Sequence, residues 1–161
     1  MCDTLVALAP ATVGGATLFA KNSDRPPDEV QHLLWSPPRR DTTAVRVTHI
    51  EVEPHHLDTV GCVVSVPSWC WGAEHGVNDA GVAIGNEAIY TTLDPRSQPP
   101  ALIGMDLVRL ALERAAAQLQ VQLGAQMVLV FDGDSDGGTA VRAAVGSPVR
   151  VRFTHHDVEA D

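Results

Sequence analysis

Short apolar runs separated by turn residues fill the first half of the chain and predict strands. Thr4–Ala9 and Ala16–Ala20 flank a segment containing proline and a glycine pair, a pattern typical of a hairpin. Ala44–Glu53 alternates apolar and polar residues, which predicts one strand with an exposed face. Gly61–Val66 and Gly81–Ile84 are apolar enough to be buried strands.

The second half begins with a helical pattern at Leu102–Leu123, with Gly124 as its C-cap. Its predicted apolar stripe is Ile103, Leu107, Leu110 and Ala111. The pattern then predicts a strand at Met127–Phe131 and two more within Thr139–Phe153. Strands that come first and a helix that comes later favour an α+β fold with largely antiparallel pairing.

Composition narrows the class of protein. The chain has 161 residues, enough for one domain with a core, and a net charge of −9, which argues against a nucleic-acid surface. We find neither a membrane-spanning run nor a signal peptide. The three cysteines, Cys2, Cys62 and Cys70, do not form a paired framework, which favours a reducing, cytoplasmic setting.

The first candidate site is at the start of the chain. Removal of Met1 would expose Cys2 with both a thiol and a free α-amine, a nucleophile beside a general base. The predicted hairpin brings Cys2 close to Lys21–Arg25, where a cation would favour the thiolate and an acid could orient the amine. The alternative is that Cys2 has no catalytic role, and that the charged residues of Lys21–Arg25 form a solvated loop in which they pair with one another.

Two further groups of residues could line a binding cleft. Trp69 and Trp71 suit a pocket wall, although core packing is an equal alternative. Asn86 follows a glycine at the end of a predicted buried strand, where its amide could donate to an oxyanion or simply complete a turn. Cys70 with His75 lacks the partner pair of a zinc site. We therefore expect no metal and no cofactor.

Two other patterns resemble metal-binding sequences, but neither predicts a metal site. Asp132–Gly137 begins like a calcium loop, but the twelfth position is Ala143 rather than glutamate. The neighbouring pairs His55–His56 and His155–His156 would point to opposite faces of a strand, and we interpret them as surface residues.

Four ordered segments resemble the secernin/dipeptidase family of N-terminal-nucleophile hydrolases. They are Cys2–Thr4, Phe19–Gln31 (FAKNSDRPPDEVQ), Pro67–Ala88 (PSWCWGAEHGVNDAGVAIGNEA) and Gly104–Ala115 (GMDLVRLALERA). The resemblance implies a four-layer αββα sandwich and hydrolysis of a small peptide or amide substrate by an N-terminal cysteine. The chain also resembles, more distantly, the group of choloylglycine hydrolase and penicillin acylase. Members of that group have arginine at the position of Lys21.

The resemblance also implies the roles of individual residues. Cys2 would be the nucleophile, Asp24 would contact the α-amine, and Asn86 would match the oxyanion-hole asparagine. Lys21 completes the catalytic set that we predict. The substrate-binding residues that we predict are Asn22, Trp69, Trp71 and Glu87.

The resemblance covers residues 2–115, and family members are usually more than twice as long as this chain. We therefore expect an incomplete N-terminal half of the αββα sandwich at 1–115 and an out-of-pattern segment at 116–161. Such a chain would leave strand edges and an apolar face uncovered, which predicts self-association and poor or no catalysis. The competing hypothesis is a non-catalytic binding or regulatory protein of the same fold.

Overall fold

Cys2 stands in the first strand of a hairpin that packs on a larger sheet. The structure, a computed structural model, describes residues 2–8, 10–89, 99–114, 127–134 and 139–145, and only the backbone of 88–89, 127–134 and 139–145. Its elements are β1 (Cys2–Ala7), a 3-10 turn (Val13–Gly15), β2 (Leu18–Ser23), β3 (Gln31–Ser36), β4 (Val45–Arg46), β5 (Glu51–Val52), β6 (Cys62–Pro67), β7 (His75–Asn78), β8 (Ala83–Ile89), α1 (Gly104–Arg114), β9 (Met127–Asp134) and β10 (Thr139–Val145).

The predicted α+β class is confirmed for the described residues, which are mostly strands with one helix. Six strands form the main sheet in the order β10-β9-β8-β7-β6-β3. All of its pairings are antiparallel except β8 with β9, which run parallel. The strands β1 and β2 form a separate two-stranded sheet, and β4 and β5 form another.

The helix α1 covers one face of the main sheet, where it contacts β6, β7, β8 and β9. Its side chains Val108 and Leu112 are fully buried against Val64 of β6 and Ile84 of β8. Gly76 makes this close approach feasible, because a β-carbon there would lie 2.7 Å from Leu112 Cδ1. This apolar contact is the core of the molecule.

The hairpin β1–β2 packs on the opposite face of the sheet. Gly85 is the neighbour of Ile84 in β8, so the two positions point to opposite faces. A β-carbon on Gly85 would lie 2.9 Å from Phe19 Cζ and 3.2 Å from Lys21 Cδ, both in β2. The described chain therefore has three layers: a helix, a six-stranded sheet and a hairpin.

Several predicted strands are confirmed, with different ends. β1 begins at Cys2 and β2 runs on to Ser23, so Lys21 belongs to a strand rather than a loop. β6 matches Gly61–Val66 closely. β8 extends to Ile89, so Asn86 lies within the strand, whereas the sequence predicts it at the strand's end.

The single strand predicted at Ala44–Glu53 is wrong. Two-residue strands β4 and β5 pair with each other instead, and Val47 N–H donates to the Ile50 carbonyl across the turn between them at 3.0 Å. The turn is held because the Thr48 hydroxyl donates to the buried Asp106 of α1 at 2.6 Å. Alternation alone does not predict this contact with a distant helix.

The apolar stripe predicted for the helix is confirmed only in part. Leu110 is buried as predicted, but Val108 and Leu112 are the helix residues that enter the core, whereas Leu107 and Ala111 are only half-buried. The helix begins at Gly104, two residues later than predicted. The rest of the predicted helix after Arg114, its cap at Gly124, and the part of the last predicted strands after Val145 lie outside the described residues.

Two strands are not predicted by the sequence pattern at all. Nearly all residues of β3 are exposed, since it is the edge of the main sheet, so it shows no alternation of buried and exposed positions. β7 has only four residues, among them a glycine and an asparagine. None of the helices in the described ranges is long and apolar enough to span a membrane.

Substitution of Leu112 tests the position of the core. Leu112→Ala removes a fully buried side chain, and we expect a loss of about 2–5 kcal/mol in the free energy of unfolding. Leu33→Ala is the matched control, because Leu33 is 77% exposed, and its effect should stay within about 0.5 kcal/mol. Urea unfolding followed by circular dichroism measures both, and equal losses would contradict this description of the core.

Candidate active site

Cys2 and Ser23 face each other across the hairpin. The register pairs Cys2 with Ser23 and Thr4 with Lys21. Cys2 and Ser23 are half-buried and the side chain of Lys21 is fully buried, while their neighbours Asp3 and Asn22 are exposed. Successive residues of a strand point to opposite faces, so these three side chains lie on the face turned toward the main sheet. The hairpin thus places a thiol, a hydroxyl and an ammonium group together, as predicted for Cys2 and Lys21.

Lys21 is the most deeply buried group of this cluster, with a side chain that is 0% exposed. Its Nζ donates to Ser23 Oγ at 2.7 Å and lies 3.4 Å from Glu74 Oε2. Glu74 is also buried, at 2% exposure. An ammonium group without water needs such partners, since an unpaired buried charge is costly.

Glu74 is held rigidly at the start of β7. Its N–H donates to the Ser65 carbonyl at 2.8 Å, and its carbonyl accepts from Asn86 N–H at 2.8 Å. The backbone of Glu74 is therefore fixed between β6 and β8. The carboxylate reaches from the main sheet to the hairpin and ties the two layers together.

Arg25 forms the other cationic side of the cluster. Its guanidinium group makes two bonds of 2.7 Å to the Glu29 carboxylate and lies 3.8 Å from Glu74 Oε1. The pKa of Arg25 is raised, first by the bond to Glu29 and then by the charges of Glu29, Glu74 and Cys2. Arg25 is thus close enough to Cys2 to interact with it electrostatically.

Trp69 lies beside Arg25 and Glu29. The guanidinium carbon of Arg25 lies 5.4 Å from the centre of its ring, and its indole N–H donates to Glu29 at 3.1 Å. The ring is about half exposed, at 49%. An exposed aromatic ring beside the cluster of Cys2, Lys21 and Arg25 is compatible with the predicted substrate contact.

Asp24 lies at the end of the hairpin. Its pKa is lowered, chiefly by the chain's terminal amino group, which in the 161-residue chain is that of Met1 and not that of Cys2. Asn22 Nδ2 also donates to Asp24 at 2.9 Å. This bond brings the predicted residues Asn22 and Asp24 together at the end of β2.

Asn86 and Glu87 follow Gly85 in β8. Because Gly85 faces the hairpin, strand alternation puts Asn86 on the side of α1 and Glu87 on the side of the hairpin. The predicted roles of Asn86 as oxyanion donor and of Glu87 as substrate contact stay predictions.

Trp71 lies in a different cluster, next to α1. Arg109 stacks over its ring at 4.4 Å and donates to its carbonyl at 2.7 Å. The buried Glu113 then accepts from Arg109 at 3.1 Å and from Arg39 at 2.9 Å. The two tryptophans thus stack on different arginines, Trp69 beside the hairpin cluster and Trp71 beside the helix.

An open apolar cleft of about 490 Å³ lies between β2 and the main sheet. Its lining includes Phe19, Leu33, Val63, Val77 and His75. The pKa of His75 is lowered, first by burial and then by the charge of Lys21. The cleft is therefore an apolar surface whose lining includes one imidazole, and burial disfavours the protonated form of that imidazole.

The other two cysteines have thiols that are poor nucleophiles. Burial raises the pKa of both Cys62 and Cys70 to about 11, and nearby carboxylates add to the effect: Glu113 for Cys62 and Asp106 for Cys70. Since the thiolate is the reactive form, these thiols are nearly inert at neutral pH.

Three residues of this cluster are missed by sequence reasoning. Ser23 and Arg25 lie within the charged segment, but nothing in the sequence assigns them roles. Glu74 stands far away in the sequence, next to Cys70 and His75, which the sequence suggests only as metal ligands. A buried glutamate is detectable only when its partner is known, so a single sequence contains no signal for it.

Comparison with known proteins does not assign the chain to a family. No family model matches it, and no solved structure matches it significantly. Within the described ranges, no cluster of three histidine, cysteine, aspartate or glutamate residues could hold a metal ion.

Alkylation tests the difference between the thiols. At pH 8 we expect Cys62 and Cys70 to react with iodoacetamide roughly a hundredfold more slowly in the folded protein than an ordinary thiol does. Peptide mass mapping over time measures each site. The urea-denatured chain is the control, in which both should react at ordinary rates, and a Cys70 that reacts equally fast in both states would contradict the burial of its thiol.

Proposed function

We propose that this protein is an N-terminal-nucleophile cysteine hydrolase that cleaves small peptides or amides, in an αββα-like fold similar to that of the secernin/dipeptidase family. One observation carries the proposal. The hairpin register sets Cys2 opposite Ser23, with the buried ammonium group of Lys21 on the same face, and Asp24 directly follows Ser23 at the end of the hairpin where removal of Met1 would leave the Cys2 amine. A nucleophile, a cation and an acid for the α-amine are thus combined at one end of the hairpin.

The first step requires a free Cys2 amino group, and therefore the removal of Met1. The α-amine, oriented by Asp24, then takes the proton of the Cys2 thiol. Lys21 favours the resulting thiolate by its positive charge. Since the Lys21 side chain has no exposed surface, it acts on Cys2 through its charge rather than by contact with substrate.

The thiolate then attacks the substrate carbonyl. A carbon–sulfur bond forms and the carbonyl oxygen becomes an oxyanion. The resemblance implies Asn86 as its donor, but strand alternation puts that side chain on the α1 side of β8, so we assign Asn86 no contact with the oxyanion. Collapse breaks the amide bond, and the α-ammonium group returns the proton to the leaving amine. Water hydrolyses the thioester, which releases the acid and restores the thiol. Trp69, at the edge of the cluster, supplies an apolar contact for the substrate side chain.

Replacement of Cys2 tests the proposal. Intact-mass spectrometry should show a chain without Met1. An activated acyl ester should add one acyl group to the N-terminal peptide, and dipeptide turnover, however slow, should depend on the same residue. Cys2→Ala should abolish both, and Cys2→Ser should keep weak activity because its hydroxyl is harder to ionise.

Cys70→Ala is the matched control, because it removes a thiol that burial keeps inert and should leave acylation unchanged. Retention of Met1, or acylation that persists in Cys2→Ala, would contradict the proposed function.

A second candidate is a non-catalytic binding or regulatory protein that associates with itself. Exposed apolar side chains on one face of the main sheet favour this second candidate. Leu33, Trp35 and Val77 lie on the same face of the sheet as Val63. Leu18 of β2 is also exposed and lines the same cleft. Contiguous apolar surface of this kind is typical of an interaction site.

Size-exclusion chromatography with light scattering tests self-association. We expect the unmodified chain to elute as dimers or larger species, since burial of the cleft face removes apolar surface from water. Leu33→Glu should shift the protein toward the monomer, whereas Leu57→Glu, at an exposed leucine outside the cleft, should not. A monomer at all concentrations would contradict the prediction.

A further inference from the structure

Glu74 has no assigned role in the mechanism, although it is buried and touches both cations of the cluster. It lies 3.4 Å from Lys21 Nζ and 3.8 Å from Arg25 Nη1. Arg25 has a second partner in Glu29, with two bonds of 2.7 Å. Within the described chain, Lys21 Nζ has Glu74 as its anionic partner and the neutral hydroxyl of Ser23 as its other hydrogen-bond partner. Loss of Glu74 would therefore affect Lys21 more than Arg25.

We propose that Glu74 is a positioning residue that holds the Lys21 ammonium group beside Cys2 and so promotes formation of the Cys2 thiolate. The inference rests on the proposed function only in taking Cys2 as the nucleophile. Glu74 touches Lys21 directly, and Lys21 lies one diagonal step from Cys2 across the hairpin. Glu74 thus acts on Cys2 through Lys21.

Two opposing effects follow from removing the Glu74 carboxylate. Loss of a nearby negative charge alone would favour the thiolate. Loss of the counter-ion leaves the fully buried Lys21 ammonium group unpaired, so that the ammonium is displaced or neutralised and its stabilisation of the thiolate is lost. We expect the second effect to dominate, because Lys21 is a diagonal cross-strand neighbour of Cys2, whereas the contacts of Glu74 are with Lys21 and Arg25.

Other charged and titratable groups surround Lys21 and bear on the pH dependence. They lie in β1, in the segment after β2, just before and at the start of β7, and on the hairpin side of β8, and they are Cys2, Asp24, Arg25, Glu74, His75 and Glu87. The Asp24 carboxylate accepts a hydrogen bond from Asn22, and burial lowers the pKa of His75. Glu74 is the buried anion of this set.

The rate of Cys2 alkylation by iodoacetamide, measured against pH by peptide mass mapping, tests the inference without turnover. In Glu74→Gln the midpoint of the rate profile should move to higher pH, and alkylation at pH 7 should slow by on the order of tenfold. Glu74→Asp keeps the carboxylate and should restore most of the rate. Asp3→Asn is the matched control: it removes a negative charge next to Cys2 on the exposed face, and should move the midpoint slightly to lower pH.

A double variant distinguishes an effect of Glu74 that acts through Lys21 from an effect of Glu74 on Cys2 that is independent of Lys21. Lys21→Met should slow alkylation as Glu74→Gln does. The double variant should match Lys21→Met or react slightly faster, because Glu74 then has no ammonium to hold and only the effect of its negative charge is removed. This comparison remains decisive if Glu74→Gln alone fails to fold, since the double variant buries no unpaired charge at Lys21. A midpoint at lower pH in Glu74→Gln, or additive slowing in the double variant, would overturn the inference. Failure of the proposed function would appear separately, as retained Met1 or acylation without Cys2.

Discussion

The ion pair between Lys21 and Glu74 connects the hairpin to the main sheet, and the position of Cys2 depends on it. The hairpin otherwise presents small and β-branched side chains to the sheet, together with Phe19, which packs against His75 with ring centres 6.5 Å apart. Buried ion pairs contribute little net stability, but their geometry is demanding. We interpret the pair as a device that fixes the register of one layer on the other.

Buried acids hold the helix face in a comparable way. Glu113 of α1 binds Ser36, Arg39 and Arg109, and Asp106 of the same helix binds Thr48. Asp41, from the chain between β3 and β4, pairs with Arg114 at the end of α1 at 2.9 Å. The contacts with Arg39, Thr48 and Asp41 join α1 to irregular segments of the chain, whereas Ser36 ends β3 and Arg109 belongs to α1 itself. Apolar packing thus positions the helix on the sheet, and carboxylates position the loops on the helix.

The sequence predicts the parts of the fold that depend on local pattern. The hairpin, β6 and the existence of α1 follow from apolar runs and turn residues, and the closeness of Cys2 to Lys21 follows from the hairpin. The strands β3 and β7 and the β4–β5 turn could not be predicted, because their structure depends on contacts with distant elements such as the bond from Thr48 to Asp106. The same holds for Glu74, whose importance appears only when Lys21 is placed against it. The family resemblance adds roles for Asp24 and Asn86 that the residues alone do not specify.

The parallel pairing of β8 with β9 has a consequence for the order of folding. The antiparallel strands β6, β7 and β8 are joined by short connections and can pair early, because closing a short loop costs little conformational entropy. A parallel neighbour requires the chain to cross back over the sheet, and α1 lies within the connection from β8 to β9. The strand β9 can join only after this crossover is in place. During synthesis, the hairpin with Cys2 and its sheet partner Glu74 therefore emerge and assemble before the far edge of the main sheet exists.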